Sequence, residues 1–135
     1  MGLLIDSSVF IALERRGQRL SALAKAVPNE PVALASITAS ELLVGVHRAG
    51  SPARRLRREA FVEGILEAIP VLPFDMRVAR VHARLSALLG AAGQPVGAHD
   101  LLIGATALAH GYKVLTENMR DFQRLPELVV RQPSW

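Results

Sequence analysis

Carboxylate and amide side chains recur at four widely separated places in this chain: Asp6, Glu41, Asp100, and the neighbouring pair Asn118 and Asp121. Each stands where an apolar, strand-like run ends or a helix-like pattern begins. In an α/β fold those places meet on one side of the sheet, outside the carboxyl ends of the strands. Three or four such oxygens brought together suit a hard divalent cation, Mg²⁺ or Mn²⁺. The chemistry expected of that arrangement is metal-assisted hydrolysis of a phosphodiester.

The elements that must position them are legible in outline. Leu3-Leu4-Ile5 is an apolar run ending at Asp6 and reads as a buried strand. Ser7 and Ser8 follow as caps for a helix beginning at Val9, with a second short helix over 19–27 ended by Pro28, Asn29 and Pro31. Val32 to Ala35 is the next strand, and Thr38 opens a helix carrying Glu41 and Val46. Ser51 followed by Pro52 marks another helix start, with Leu56, Val62, Ile65, Leu66 and Ile69 as its apolar stripe. Val71-Leu72, between two prolines, reads as an edge strand. Asp75 caps a helix with Val78, Val81, Leu85 and Leu88 at helical spacing, stopped by Gly90 and Gly93. Asp100 opens an apolar helix that ends at Gly111, Val114-Leu115 is a strand ending at Thr116, 118–124 holds a short helix, and Val129-Val130 is a last strand. Strands alternate with helices, which predicts an α/β fold with a mainly parallel sheet, as one domain over residues 1–135.

Composition narrows the chemistry. The chain has 135 residues, half of them hydrophobic and only 4% aromatic, so the core is built from Ala, Leu, Val and Ile. It has no Cys, which excludes disulfides, zinc thiolates and a cysteine nucleophile. The four His are not at zinc-ligand spacing. Sixteen Lys and Arg against twelve Asp and Glu leave a net charge of +4, mostly from Arg, which suits a polyanionic partner. The stretch before Asp6 is too short for a signal peptide, and no apolar run approaches the roughly 20 residues of a bilayer span. A cytoplasmic protein is expected.

Each acidic residue also has a purely structural explanation. Thr38-Ala39-Ser40-Glu41 fits a capping box. Asp6, Asp100 and the Asn118/Asp121 pair all fit helix starts. The joint pattern is harder to explain that way, because several half-buried carboxylates repel one another unless a cation neutralises them.

The successive segments Ile5-Asp6-Ser7-Ser8, Ser40-Glu41-Leu42, Gly97-Ala98-His99-Asp100-Leu101-Leu102-Ile103-Gly104-Ala105 and Thr116-Glu117-Asn118-Met119-Arg120-Asp121-Phe122 resemble, in order and spacing, the motifs of PIN-domain ribonucleases. The nearest type is VapC, the toxin half of bacterial VapBC toxin–antitoxin pairs. The resemblance spans the whole chain. It implies a three-layer α/β/α fold with a short, mainly parallel central sheet, and a Mg²⁺- or Mn²⁺-dependent endoribonuclease. It also implies a homodimer and neutralisation by a VapB-type antitoxin whose peptide segment blocks the acidic pocket. By the same resemblance Asp6, Glu41 and Asp100 would hold the metal, while Ser8 and Thr116 would orient carboxylates or hold a water. The fourth acidic position departs from the pattern. Many family members carry Asp where this chain has Asn118; Asn118 is expected at the site, its amide oxygen ligating or holding a metal-bound water, with Asp121 nearby as an outer contributor.

Other readings remain open at this level. His99 could act as an acid or base, or be a solvated loop residue. The cluster Arg54, Arg55, Arg57 and Arg58 could grip RNA phosphates, or in part pair with Glu59 and Glu63. A phosphatase using Asp6 as nucleophile would place a second Asp where this chain has Ser8. A catalytically silent PIN-like binding module would keep the fold without the activity.

Overall fold

In the computed structural model, which describes residues 2–135, five short strands form one sheet. The chain runs β1 (Leu3–Ile5), α1 (Ser7–Arg15), α2 (Ser21–Ala26), β2 (Val32–Ala35), α3 (Ser36–His47), α4 (Pro52–Ala68), β3 (Val71–Leu72), α5 (Met76–Ala92), α6 (Ala98–His110), β4 (Lys113–Leu115), α7 (Met119–Phe122) and β5 (Val130–Arg131). The strand order is β3-β2-β1-β4-β5, and every pairing is parallel.

Parallel strands need crossovers, so helices cover both faces of such a sheet. The alternation of side chains along each strand shows this directly. Leu3 and Ile5 of β1, Leu34 of β2 and Leu115 of β4 face one core, with α1, Leu42 and Val46 of α3, and Val62 and Ile65 of α4. Leu4, Ala33, Ala35 and Val114 face the other, with Val78 and Leu85 of α5, Ile103 of α6 and Phe122 of α7. An uninterrupted apolar run is what a strand buried on both faces requires, and Leu3, Leu4 and Ile5 are fully buried. The expected α/β/α sandwich is therefore the observed one. No helix among the described residues is long and apolar enough to cross a membrane.

Several helix boundaries differ from expectation for identifiable reasons. Ser7 and Ser8 lie inside α1, and Asp6 takes the N-cap position without a side-chain cap bond. Helix α3 begins at Ser36 with Ala35 as N-cap, so Thr38 is a buried interior residue and no capping box with Glu41 forms. The chain passes from β2 into α3 without a linking loop, so no polar cap announces the turn. The Ser51-Pro52 and Asp75 starts are as read: their side chains accept from the N–H groups of Arg54 and Val78. Gly90 lies within α5, and the stop is Gly93, whose φ of 65° suits glycine. Leu56 and Leu88 leave the apolar stripes assigned to them and face solvent, whereas Leu89 is buried. Arg58 pairs with Glu14 of α1 at 3.1 Å rather than with a neighbour on its own helix.

Candidate metal centre at the sheet switch point

The chain leaves β1 toward β2 and β3, then returns across the sheet to β4 on the other side of β1. The segments following β1 and β4 therefore diverge, and a crevice opens between them at the carboxyl edge. Asp6 follows β1 and Thr116 follows β4. The Asp6 N–H donates to Leu115 O at 2.9 Å, which continues the β1–β4 ladder up to the site.

Asp6 is 4% exposed, and its carboxylate is held by two hydroxyls. Ser8 Oγ donates to Oδ2 at 2.6 Å, and Thr116 Oγ1 donates to the same oxygen at 2.9 Å. Each hydroxyl has one proton to give, and each in turn accepts a backbone N–H. Glu117 N–H donates to Ser8 Oγ at 3.0 Å, and Asn118 N–H to Thr116 Oγ1 at 2.9 Å. The network orients Asp6 through donors that are themselves oriented. Both hydroxyl bonds fall on Oδ2 and none on Oδ1.

The other carboxylates arrive on helices. Glu41 lies in the second turn of α3. Asp100 lies in the first turn of α6, three residues after its N-cap Gly97, and Asp121 lies on α7. Asp100 is half-buried, and its pKa is pushed from the ordinary 3.8 up to about 6. Burial is the main cause, followed by the negative charges of Asp6, Asp121 and Glu41; His99 works in the opposite direction. Asp6, Glu41 and Asp121, far from Asp100 in sequence, are thus near enough to it in space for their charges to oppose its ionisation. Asn118 differs from them: it is exposed and caps nothing with its side chain, whereas Asp121 is partly buried. The electrostatic neighbour of Asp100 in this segment is Asp121.

Glu41 has one further peculiarity. Its Oε2 is bonded to His99 Nδ1 at 3.1 Å, while its Oε1 is buried with no hydrogen-bond partner. A buried carboxylate oxygen without a donor is costly. Together with the raised pKa of Asp100, it suits a donor set built for a hard cation. Among the described residues no three His, Asp or Glu side chains form a group that could by itself hold a metal ion, so an ion bound here would depend on water for much of its coordination, as Mg²⁺ commonly does.

Beside the cleft runs a groove of about 630 Å³ between α1, α3 and α4. Phe10, Ile11, Val44 and Phe61 give it an apolar surface, Arg15 and Arg48 contribute positive charge, and Glu41 and His99 also line it. The sequence reading had no access to this groove. The His99–Glu41 contact was equally hidden, since the two residues are 58 positions apart. The adjacency of His99 to Asp100 was the only local signal. Within the arginine cluster, Arg58 is tied to Glu14 Oε2 and Gly45 O, and Arg55 lies against His47. Trp135 packs on the α1–α4 core and donates from Nε1 to Glu117 Oε1, with Arg16 over its ring.

Residues 3–128 match the family model of the PIN domain. The chain is 37% identical over 133 residues to ribonuclease VapC1 of Rickettsia felis, covering 96% of this chain and 95% of that protein. It is 36% identical over 102 residues to the tRNA(fMet)-specific endonuclease VapC of Salmonella typhimurium, covering 76% and 74% of the two. Among solved structures, DNA-bound VapBC from Salmonella typhimurium superposes with a TM-score of 0.86 at 26% identity, over 98% of both chains.

Proposed function

Because this chain belongs to the PIN-domain family and is similar to its VapC ribonucleases over nearly its full length, we propose that it is a Mg²⁺- or Mn²⁺-dependent endoribonuclease, the toxin of a VapBC pair. The observation that carries the reading is the buried Asp6 carboxylate, held on one oxygen by Ser8 and Thr116 at the end of β1, with Asp6, Asp121 and Glu41 near enough to Asp100 for their charges to act on it. Asp6, Glu41 and Asp100 are the residues to hold the ion, with Asp121 as the fourth acid and Asn118 at the rim. A divalent ion bound there would offset charge on the phosphoryl oxygens and lower the pKa of an attached water.

The remaining work falls to this chain's own groups. Ser8 and Thr116 keep Asp6 in one orientation, so that Oδ1 faces the same requirement on each encounter. The unpartnered Glu41 Oε1 and the half-buried Asp100 are destabilised without a cation, which favours loading. Arg15 and Arg48, in the adjoining groove, are placed to attract the RNA backbone, whose phosphates supply most non-specific affinity.

The partners follow from the same surfaces. Glu41 lines the apolar groove together with Ile11 and Val44, so an antitoxin peptide laid in it would reach the cleft. Val71 on the open edge of the sheet, with Phe74 and Met76 just beyond it, presents exposed apolar surface. That surface supports a homodimer. A protein acting on cellular RNA works in the cytoplasm.

The test is cleavage of total RNA and of initiator tRNA by purified, antitoxin-free protein, with Mg²⁺, Mn²⁺ or EDTA. Metal-dependent cutting that disappears in Asp6→Asn and Asp100→Asn is expected. Folded wild-type protein that cuts neither substrate under any condition would leave a silent binding module as the better description.

A further inference from the structure

His99 touches the site through one atom. Its ring nitrogen Nδ1 lies 3.1 Å from Glu41 Oε2. A carboxylate can only accept, so the imidazole donates from Nδ1–H, and its proton position follows from that partner. Among the described residues no other hydrogen-bonding group holds the Glu41 side chain: its second oxygen, Oε1, is buried without a partner. Glu41 stands on α3 and His99 on the first turn of α6, two helices in direct contact. A glutamate has three rotatable bonds, and this side chain is 29% exposed, so it has room to swing outward. The one contact that opposes that swing comes from His99.

We propose that His99 is a positioning residue for the metal centre: by donating from Nδ1 to Glu41 Oε2 it pins the carboxylate and leaves the unpartnered Oε1 free for a divalent cation. The inference rests on the metal-dependent reading of the cleft and adds a residue to it. Side chains that hold a ligating carboxylate in place are a recurring part of metal sites, and their loss typically weakens metal affinity about 10- to 100-fold. An imidazole suits the task because Lys or Arg at this place would compete with the cation by charge. The His99 side chain is 55% exposed, so its removal should cost little packing.

Two measurements on the full, antitoxin-free chain test this. In the first, Mn²⁺ affinity is measured by the electron paramagnetic resonance of free Mn²⁺ in wild type, His99→Ala, His99→Leu and His99→Asn. The Ala and Leu variants should bind roughly 10- to 100-fold more weakly with an unchanged melting temperature. The Asn variant, whose side-chain amide can donate from near the place of Nδ1, should recover most of the loss. Equal affinity in wild type and both removal variants would overturn the role of His99 while leaving the metal site standing. No Mn²⁺ binding by wild type would overturn the metal reading, and this inference with it. In the second, long-range proton–nitrogen NMR of the metal-free protein reads the histidine tautomer. Wild type should show His99 protonated at Nδ1, reverting to Nε2 in Glu41→Ala, which removes the acceptor. An Nε2–H tautomer in wild type would refute the hydrogen bond without reference to any metal.

Discussion

Replacing Asp100 by Asn in metal-free protein should make the protein more stable at neutral pH while destroying its proposed activity. The rise of the Asp100 pKa from 3.8 to about 6, at about 1.4 kcal/mol per pH unit, would come to about 3 kcal/mol if felt in full. Asp100 is only half-buried, and solvent screening reduces that to about 1.5 kcal/mol. The α6 N-terminus favours the carboxylate by about 0.3–1 kcal/mol, which Asn forfeits. A net gain of about 1 kcal/mol remains, or roughly 3–5 °C in melting temperature for a chain of this size. The sign follows from linkage. The folded state holds the Asp100 proton more tightly than the unfolded chain, so wild type carries no penalty below pH 3.8. The penalty grows as pH rises toward 6 and is complete above it. In EDTA the gap between variant and wild type should therefore open between about pH 4 and 7. Saturating Mg²⁺ or Mn²⁺ should then stabilise wild type selectively and close or invert the gap. Thermal melts across pH 4–8, with EDTA or metal, provide the assay. A variant no more stable than wild type at pH 7.5 in EDTA, or a gap that does not change with pH, would refute the idea that burial and neighbouring negative charge oppose the ionisation of Asp100.

Three further outcomes follow from the packing and hydrogen bonds. Thr116→Val keeps the shape but removes a donor to Asp6 and an acceptor for the Asn118 N–H, so urea unfolding should show a loss of about 1–3 kcal/mol. Ile65→Ala, in the core, should cost about 2–5 kcal/mol by the same measurement, whereas Leu56→Ala, on the solvent side of the same helix, should stay within about 0.5 kcal/mol. Ser51→Ala removes the acceptor for the Arg54 N–H at the start of α4, and chemical denaturation should register about 1 kcal/mol.

Much of the frame is local and could be read from the chain. The runs Leu3–Ile5 and Val32–Ala35 are strands because only a doubly covered parallel strand is apolar at every position. Ser51-Pro52, Asp75, Gly93 and Gly111 act within one helical turn, so their chemistry is visible without a partner. The start of α3 was not visible, because its cap is Ala35 and the strand above it supplies the geometry a polar side chain usually would. Leu56 and Leu88 have the right residue type, but which side of each helix is covered is decided by how it docks on its neighbours, and both face solvent.

The acidic residues themselves, and the suitability of their oxygens for a divalent ion, are properties of residue type and were determined by the sequence alone. Their meeting is a tertiary fact. Thr116 reaches Asp6 across 110 residues, and His99 reaches Glu41 across 58. Parallel pairing of β1 with β4 brings the first pair together, and contact between α3 and α6 brings the second. The rise in the pKa of Asp100 and the burial of Glu41 Oε1 depend on distance and solvent exclusion. Neither quantity exists until the sheet has closed and the helices have docked upon it.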